Sequence, residues 1–147
     1  MAVFIHYFFK NQAQINQAGF TNLTRNFTSQ IMLIHSQWLM DGRPNQIKLV
    51  EFDPQLNERV TKIIHLNKKG WVIGKSSQLI CQEIWQSVMS IPLRFVKQPI
   101  SAVKLRRKIL SKDQRNIQKN DIVCRFSIGS GQFFEYYLKN GKVISDK

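Results

Sequence analysis

The chain has 147 residues, of which 43% are hydrophobic and 11% aromatic, so it is long enough for one domain with a buried core and too apolar for a disordered chain. Its 22 Lys and Arg against 9 Asp and Glu give a formal charge of +13, which favours an anionic partner: nucleic acid, an acidic membrane surface or a small carboxylate. The 2 cysteines are too few for a disulfide framework, and no zinc-type spacing accompanies the 3 histidines, so we expect free thiols and no metal site.

The first third of the chain predicts two short helices and a strand. Residues 2–9 are apolar, and residues 11–18 are typical of a short helix or loop that Gly19 ends. Thr21 is a suitable N-cap for a second helix, in which Leu23 and Phe27 would share one face. From Ile31 the apolar period changes to two, which predicts a half-buried strand over residues 31–36.

The rest of the chain predicts two hairpins and two further helices. A second strand is expected over residues 47–52, and residues 60–66 and 71–80 flank a polar connection that ends in Gly70, as in a β-hairpin. Apolar residues three and four apart predict an amphipathic helix over residues 77–90, which Pro92 closes. Pro99 begins a helix-like segment with a dense basic run. Residues 121–128 and 132–138 form the last predicted hairpin.

These elements predict a single α+β domain over residues 1–147, with about six antiparallel strands and helices packed on one face of the sheet. The basic run would be either a solvated helix face or a surface that faces a ligand; its members are Lys104, Arg106, Arg107, Lys108 and Lys112. No secretory signal and no apolar run of about 18 residues are found. We therefore expect a cytoplasmic protein that does not insert into a membrane.

Three positions are candidates for chemistry. Glu135 shares a predicted strand face with Phe133 and Tyr137, and a carboxyl group buried among rings can stay protonated near neutral pH and donate that proton; the other interpretation is an exposed glutamate on a solvated face. Lys62 lies among apolar strand residues and could anchor a carboxylate, or form a surface ion pair. Gly74, followed by Lys75, permits a ligand to approach the backbone closely, or marks a bulge.

Other catalytic signatures are missing from the sequence. It contains no Gly-rich phosphate loop, no GxSxG motif and no HExxH motif, so phosphoryl transfer, serine hydrolysis and zinc proteolysis have no support. The histidines His6, His35 and His65 are scattered, and each is expected to be an ordinary core or surface residue.

Several motifs, taken in order, resemble the chorismate lyase family. Residues 22–27 (NLTRNF) are similar to the start of a family helix, and residues 62–66 (KIIHL), a hairpin and residues 71–75 (WVIGK) are similar to two family strands. Residues 91–93 (IPL) and 134–138 (FEYYL) are similar to two later motifs. The agreement in order and spacing covers about four fifths of the chain and starts near Thr21.

The resemblance implies a fold and an activity. The family has a six-stranded antiparallel sheet with helices on one side, and it eliminates pyruvate from chorismate to give 4-hydroxybenzoate for ubiquinone biosynthesis, without a cofactor. It implies that Glu135 lies at the phenol end of the product and Lys62 at its carboxylate end. Backbone amides of Leu23 and Leu93 would complete the carboxylate clamp, near Gly74 and Lys75.

This sequence departs from the family at the cations. Lys62 and Lys75 stand where the family has arginine, and a lysine does not offer the bidentate fork of a guanidinium. Arg94 stands where a glycine is usual, and the N-terminus is short. We expect a monomer, and two other classes stay open: a non-catalytic domain that binds a small aromatic acid, and a basic protein that binds nucleic acid or a ribosome.

Overall fold

The computed structural model of the chain describes residues 2–53, 55–76, 78–90, 93–95, 98–108 and 120–146. Over these residues the fold is α+β, with helices packed against antiparallel sheets. The helices are α1 (Ala2–Met40) and α2 (Ile80–Met89). The strands are β1 (Gln46–Asp53), β2 (Glu58–Leu66), β3 (Val72–Ile73), β4 (Arg94–Phe95), β5 (Gln98–Pro99), β6 (Ser101–Lys108), β7 (Asn120–Ser127), β8 (Phe133–Tyr137) and β9 (Val143–Ser145).

Helix α1 corrects the predictions for the first third of the chain. It continues through Gly19 and Thr21, so neither residue ends or caps a helix. Residues 31–36 are helical as well, and the predicted strand there is wrong. Ile31 and Ile34 are each 1% exposed, whereas the neighbouring Leu33 is 62% exposed. Burial therefore follows the helical period of three to four residues, and the apparent alternation arose from apolar side chains on the outer face.

The first sheet has the strand order β1-β2-β3, and every pairing is antiparallel. Strand β1 confirms the strand predicted over residues 47–52, and β2 with β3 confirms the predicted hairpin. However, β3 contains only two residues, because the chain leaves the sheet after Ile73. Helix α2 then confirms the amphipathic helix, with Ile84 and Trp85 buried.

The second sheet has the order β6-β7-β8-β9, and β4 and β5 form a separate pair. Strands β7 and β8 confirm the last predicted hairpin. The helix predicted after Pro99 is wrong, because residues 101–108 pair along their whole length with β7; ladder hydrogen bonds outweigh the helical propensity of the lysines and arginines there. Part of the basic run, residues 109–112, and the predicted stop at Pro92 lie outside the described residues. The strands are thus divided among separate sheets instead of the single six-stranded sheet that was expected.

The core lies between the two helices and one face of each sheet. Phe27 of α1 is fully buried, and its ring centroid lies 5.0 Å from that of Phe134 and 5.6 Å from that of Phe126. Trp85 of α2 lies 5.1 Å from Phe126. Burying a side chain of this size stabilises the fold by roughly 1.5–3 kcal/mol, so this aromatic cluster holds α1 and α2 against the second sheet.

A disulfide between Cys81 of α2 and Cys124 of β7 crosses this core, with the two Cα atoms 5.4 Å apart. The prediction of free thiols is therefore wrong. No pattern in the sequence indicates this pairing, since the cysteines are 43 residues apart and only the packing of α2 on the second sheet brings them together. Disulfides persist mainly in oxidising compartments, which argues against the cytoplasm expected from the sequence.

Contacts of both strands and loops connect the two sheets. The Tyr136 hydroxyl donates a hydrogen bond to the Val72 carbonyl at 2.9 Å, and the Asn67 side chain donates one to the Leu138 carbonyl at 2.8 Å. Gly141 has a φ of +68°, and a Cβ atom there would lie 2.1 Å from the Trp71 ring. The first sheet is thus held in place through β3 and the loop that precedes it. No helix in the described part of the chain is both long and apolar enough to cross a membrane.

Candidate functional site

A cavity of about 880 Å³ lies beside β2, between the first sheet and α2. This volume lies within the range of small-molecule sites, which is about 300–1,000 Å³. Strands β1 and β2 form one wall, the chain just after β3 closes one end, and the polar side of α2 forms the other wall. The residues that carry polar or charged groups into it include Glu51, Lys62, His65, Lys75, Glu83 and Ser90.

Lys62 lines this cavity but already has two partners. Its ammonium lies 2.8 Å from a carboxylate oxygen of Glu51 on β1, and it donates a hydrogen bond to the Ser90 hydroxyl. Ser90 is the C-cap of α2, and the last turn of this helix holds no basic residue. A cation at the C-terminus of a helix is favoured by the helix dipole. Lys62 therefore stabilises the end of α2 as well as facing the cavity.

The pKa of Glu51 reflects the same contacts. Partial burial raises the pKa of the carboxyl group, but the hydrogen bonds from Lys62 and Ser90 and the charge of Lys62 together bring it below its ordinary value of 4.5. Glu51 is thus ionised at neutral pH. Its side chain is 42% exposed, so it can turn into solvent if another carboxylate takes its place beside Lys62.

Gly74 and Lys75 also line the cavity, and the structure explains the glycine. A Cβ atom at position 74 would lie 2.6 Å from a carboxylate oxygen of Glu83. The same oxygen accepts hydrogen bonds from the backbone N–H groups of Lys75, at 2.7 Å, and Ser76, at 3.1 Å. The group that approaches the backbone here is thus a side chain of α2. The Lys75 side chain is exposed at the cavity.

Glu135 is buried, at 5% exposure, which agrees with the interpretation of a carboxyl group among aromatic rings and not with that of an exposed glutamate. Its carboxylate accepts two hydrogen bonds from Arg125 of β7, at 3.1 and 3.2 Å, and the Arg125 guanidinium lies 4.3 Å above the Phe133 ring. Glu135 belongs to the second sheet and does not line the cavity beside Lys62. The structure therefore does not bring Glu135 and Lys62 together in one described site.

The two proposed amide donors lie apart from the cavity too. Leu23 is inside α1, where a backbone N–H is donated to the carbonyl four residues earlier. Leu93 follows α2, and its carbonyl accepts a hydrogen bond from the Ile100 amide. Both side chains pack against the core. Of the motif at residues 91–93, residues 91 and 92 lie outside the described part of the chain.

Sequence reasoning missed most of the polar groups of this cavity. Glu51, Glu83 and Ser90 were not singled out, and His65 was expected to be an ordinary histidine. Their grouping depends on the packing of α2 over β2. The only signal in the sequence was the alternation along β1, which places Glu51 on the same face as the buried Ile47. In the described residues, no group of three or more His, Cys, Asp or Glu could hold a metal ion.

Comparison of the chain with protein-family models, with curated proteins and with solved structures finds no match. The features of the chain that bear on its function are therefore the cavity beside Lys62, the charge of the chain and the motif resemblance.

Proposed function

We propose that the cavity beside Lys62 binds a small aromatic carboxylate, and that the substrate is chorismate, from which the protein eliminates pyruvate to give 4-hydroxybenzoate. The observation that supports this proposal most is the presence of two lysines, Lys62 and Lys75, at one cavity of suitable size. Chorismate carries two carboxylates, so each has a cation available. The formal charge of +13 favours the capture of a dianion.

Binding requires that a substrate carboxylate replace Glu51 beside Lys62. Because Glu51 is partly exposed, its displacement into water costs less than the displacement of a buried partner would. The substrate would then gain a charge-assisted hydrogen bond, worth about 1.5–3 kcal/mol. Val60 and Ile73 supply apolar wall for a six-membered ring.

The elimination breaks the ring C–O bond to the enolpyruvyl group and the C–H bond of the neighbouring carbinol carbon, so it needs orientation and a proton for the departing ether oxygen. Aromatisation of the ring supplies the driving force, and no redox step occurs. The family resemblance assigns the proton donor to Glu135. Among the residues that line the described cavity His65 is a second candidate for the proton donor, since the Glu83 carboxylate already accepts two backbone N–H groups.

The experiment is an assay of purified protein with chorismate, with no added metal or nucleotide, that follows 4-hydroxybenzoate and pyruvate. We expect equal amounts of both products. Glu135→Gln should lower kcat by about 10²–10⁴ while 4-hydroxybenzoate affinity is kept, if Glu135 is the general acid. His65→Asn should lower kcat in the same way if His65 is the general acid. An enzyme for which neither substitution lowers kcat would contradict both assignments.

Lys62→Ala tests the cation, and Glu51→Gln is its matched control. Both variants remove the Lys62–Glu51 ion pair, but only Lys62→Ala removes the ligand's counter-charge. We therefore expect ligand affinity to fall at least about tenfold in Lys62→Ala and to stay equal or rise in Glu51→Gln. Equal losses in both variants would mean that Lys62 only stabilises the end of α2.

A second function is favoured by the position of Glu135. Glu135 is paired with Arg125 on the second sheet and does not line the described cavity. The cavity can therefore bind an aromatic carboxylate while it lacks the carboxyl group that the family would use as proton donor. The chain would then be a binding domain: 4-hydroxybenzoate would bind tightly while chorismate persists.

Salt-sensitive binding of nucleic acid without affinity for the aromatic acid would favour the nucleic-acid class instead. Fractionation of cells tests the cytoplasmic location expected from the sequence against the oxidising compartment that the disulfide between Cys81 and Cys124 favours.

A further inference from the structure

Strand β2 has one unpaired edge over most of its length. It pairs with β1 from Glu58 to His65, but with β3 only at His65 and Leu66. The Leu66 amide donates toward the β1 side, to Asn45, and the Asn67 amide donates toward β3, to Trp71. Because successive residues of a strand address opposite edges, the N–H and C=O groups of Thr61 and Ile63 point away from β1.

These groups have no ladder partner among the described residues, and we call this stretch of β2, from residue 59 to residue 63, the open edge. The residues of the open edge lie largely in solvent. The edge forms one rim of the cavity, and the polar side of α2 lies across from it. The result is a groove between a strand edge and a helix.

The edge is open because Glu83 diverts the chain. If β3 continued past Ile73, Lys75 would be the residue opposite Ile63. Instead the Glu83 carboxylate binds the amides of Lys75 and Ser76, and the chain turns toward α2. Exposed edges of this kind are usually shortened, covered or twisted away in stable proteins. The open edge therefore stays available to pair with another strand.

The outer face of the first sheet beside the open edge is apolar and basic. Alternation places Val50, Phe52 and Ile63 on this face, and they are 63%, 60% and 47% exposed. Its charged groups are Lys48 and Arg59, and the carboxylates of the described parts of β1 and β2 all lie on the opposite face, toward α2. The charge of this face therefore complements acidic side chains of a partner.

We propose that the open edge binds an extended peptide segment of alternating acidic and apolar residues, which adds a strand antiparallel to β2. This mode of binding combines backbone hydrogen bonds with side-chain recognition on each face. The acidic side chains lie on the outer face beside Arg59, and the apolar side chains enter the groove beside Val60. A second copy of this chain is disfavoured as the occupant because both copies carry +13. The inference does not depend on any reaction with chorismate.

The probe is an acetylated hexapeptide amide of alternating glutamate and valine, titrated into the full chain and followed by amide chemical shifts. We expect saturable shifts at the Thr61 and Ile63 amides, and binding at least about tenfold weaker for a lysine–valine peptide. In an antiparallel pair, residues directly opposite share a face and exchange hydrogen bonds. N-methylation of the glutamate amides should therefore abolish binding, whereas N-methylation of the valine amides should be tolerated.

Protein variants give the second arm of the test. Thr61→Pro removes the backbone N–H of residue 61, which lies on the open edge and makes no hydrogen bond to β1. Thr61→Val keeps this N–H, so only the proline variant should fail to bind the peptide. If the proline variant does not fold, the two N-methylated peptides decide the question with the unaltered chain. The proposal is overturned by the absence of saturable binding at millimolar peptide, by equal binding of both methylated peptides, or by concentration-dependent dimerisation through Thr61 and Ile63. Titration of 4-hydroxybenzoate in the same samples tests the proposed function separately.

Discussion

Removal of the disulfide between Cys81 and Cys124 should cost much of the stability of this protein. The bridge closes a segment of 43 residues, and the loss of chain entropy in the unfolded state is then about 13 cal/mol/K, or about 4 kcal/mol at 25 °C. A domain of this kind has a free energy of unfolding of about 5–15 kcal/mol. Replacement of both cysteines by alanine should thus lower the free energy of unfolding by about 4 kcal/mol.

The assay is equilibrium unfolding in urea, with and without reductant. Reductant should destabilise the wild-type protein by a similar amount and leave the double alanine variant unchanged, which controls for other effects of the reagent. A thiol titration of the unfolded, non-reduced protein should find no free thiol from Cys81 or Cys124. Two reactive thiols, with stability insensitive to reductant, would refute the pairing and restore the expectation of free thiols.

Three further predictions concern single side chains. Tyr136→Phe leaves a buried β3 carbonyl without its donor and should cost about 1–3 kcal/mol in urea unfolding; no change would mean that water satisfies the carbonyl. Gly141→Ala combines a left-handed backbone with a clash on Trp71 and should cost at least about 1–2 kcal/mol, whereas Gly129→Ala, where nothing lies within 4 Å, should fall near wild type in thermal melts. Folding lowers the pKa of Glu51, so its ion pair contributes stability above pH 4.5. This contribution is lost as the pH falls through the lower pKa that Glu51 has in the folded state. The difference in unfolding free energy between wild type and Glu51→Gln should therefore shrink on acidification, and a difference that grows would contradict this sign.

The elements best predicted from the sequence were those that local pattern defines. The two hairpins at Gly70 and at residues 129–131 have turn residues between alternating runs, and α2 has apolar residues at helical spacing, so each could be predicted without knowledge of the rest of the fold. Helix α1 was misjudged because apolar residues lie on both its buried and exposed faces. Strand β6 was misjudged because its conformation is set by pairing with β7.

The candidate site was predicted only in part, because it depends on contacts between distant elements. Lys62, Gly74 and Lys75 do line one cavity, and Glu135 is buried, as in one of the two interpretations of its strand. The partners of these groups could not be deduced, since Glu51, Ser90 and Arg125 meet them only after the sheets and α2 have packed. The same holds for the disulfide. Alternation within a strand identifies a face, but it does not identify what packs against that face.

Titration of 4-hydroxybenzoate into isotopically labelled protein shows whether the cavity beside Lys62 holds a small aromatic carboxylate. We expect saturable chemical-shift changes that cluster on β2, Gly74, Lys75 and the end of α2 at Ser90, and that are lost in Lys62→Ala but kept in Glu51→Gln. No saturable change at millimolar ligand, or changes that cluster around Glu135 instead, would contradict this expectation.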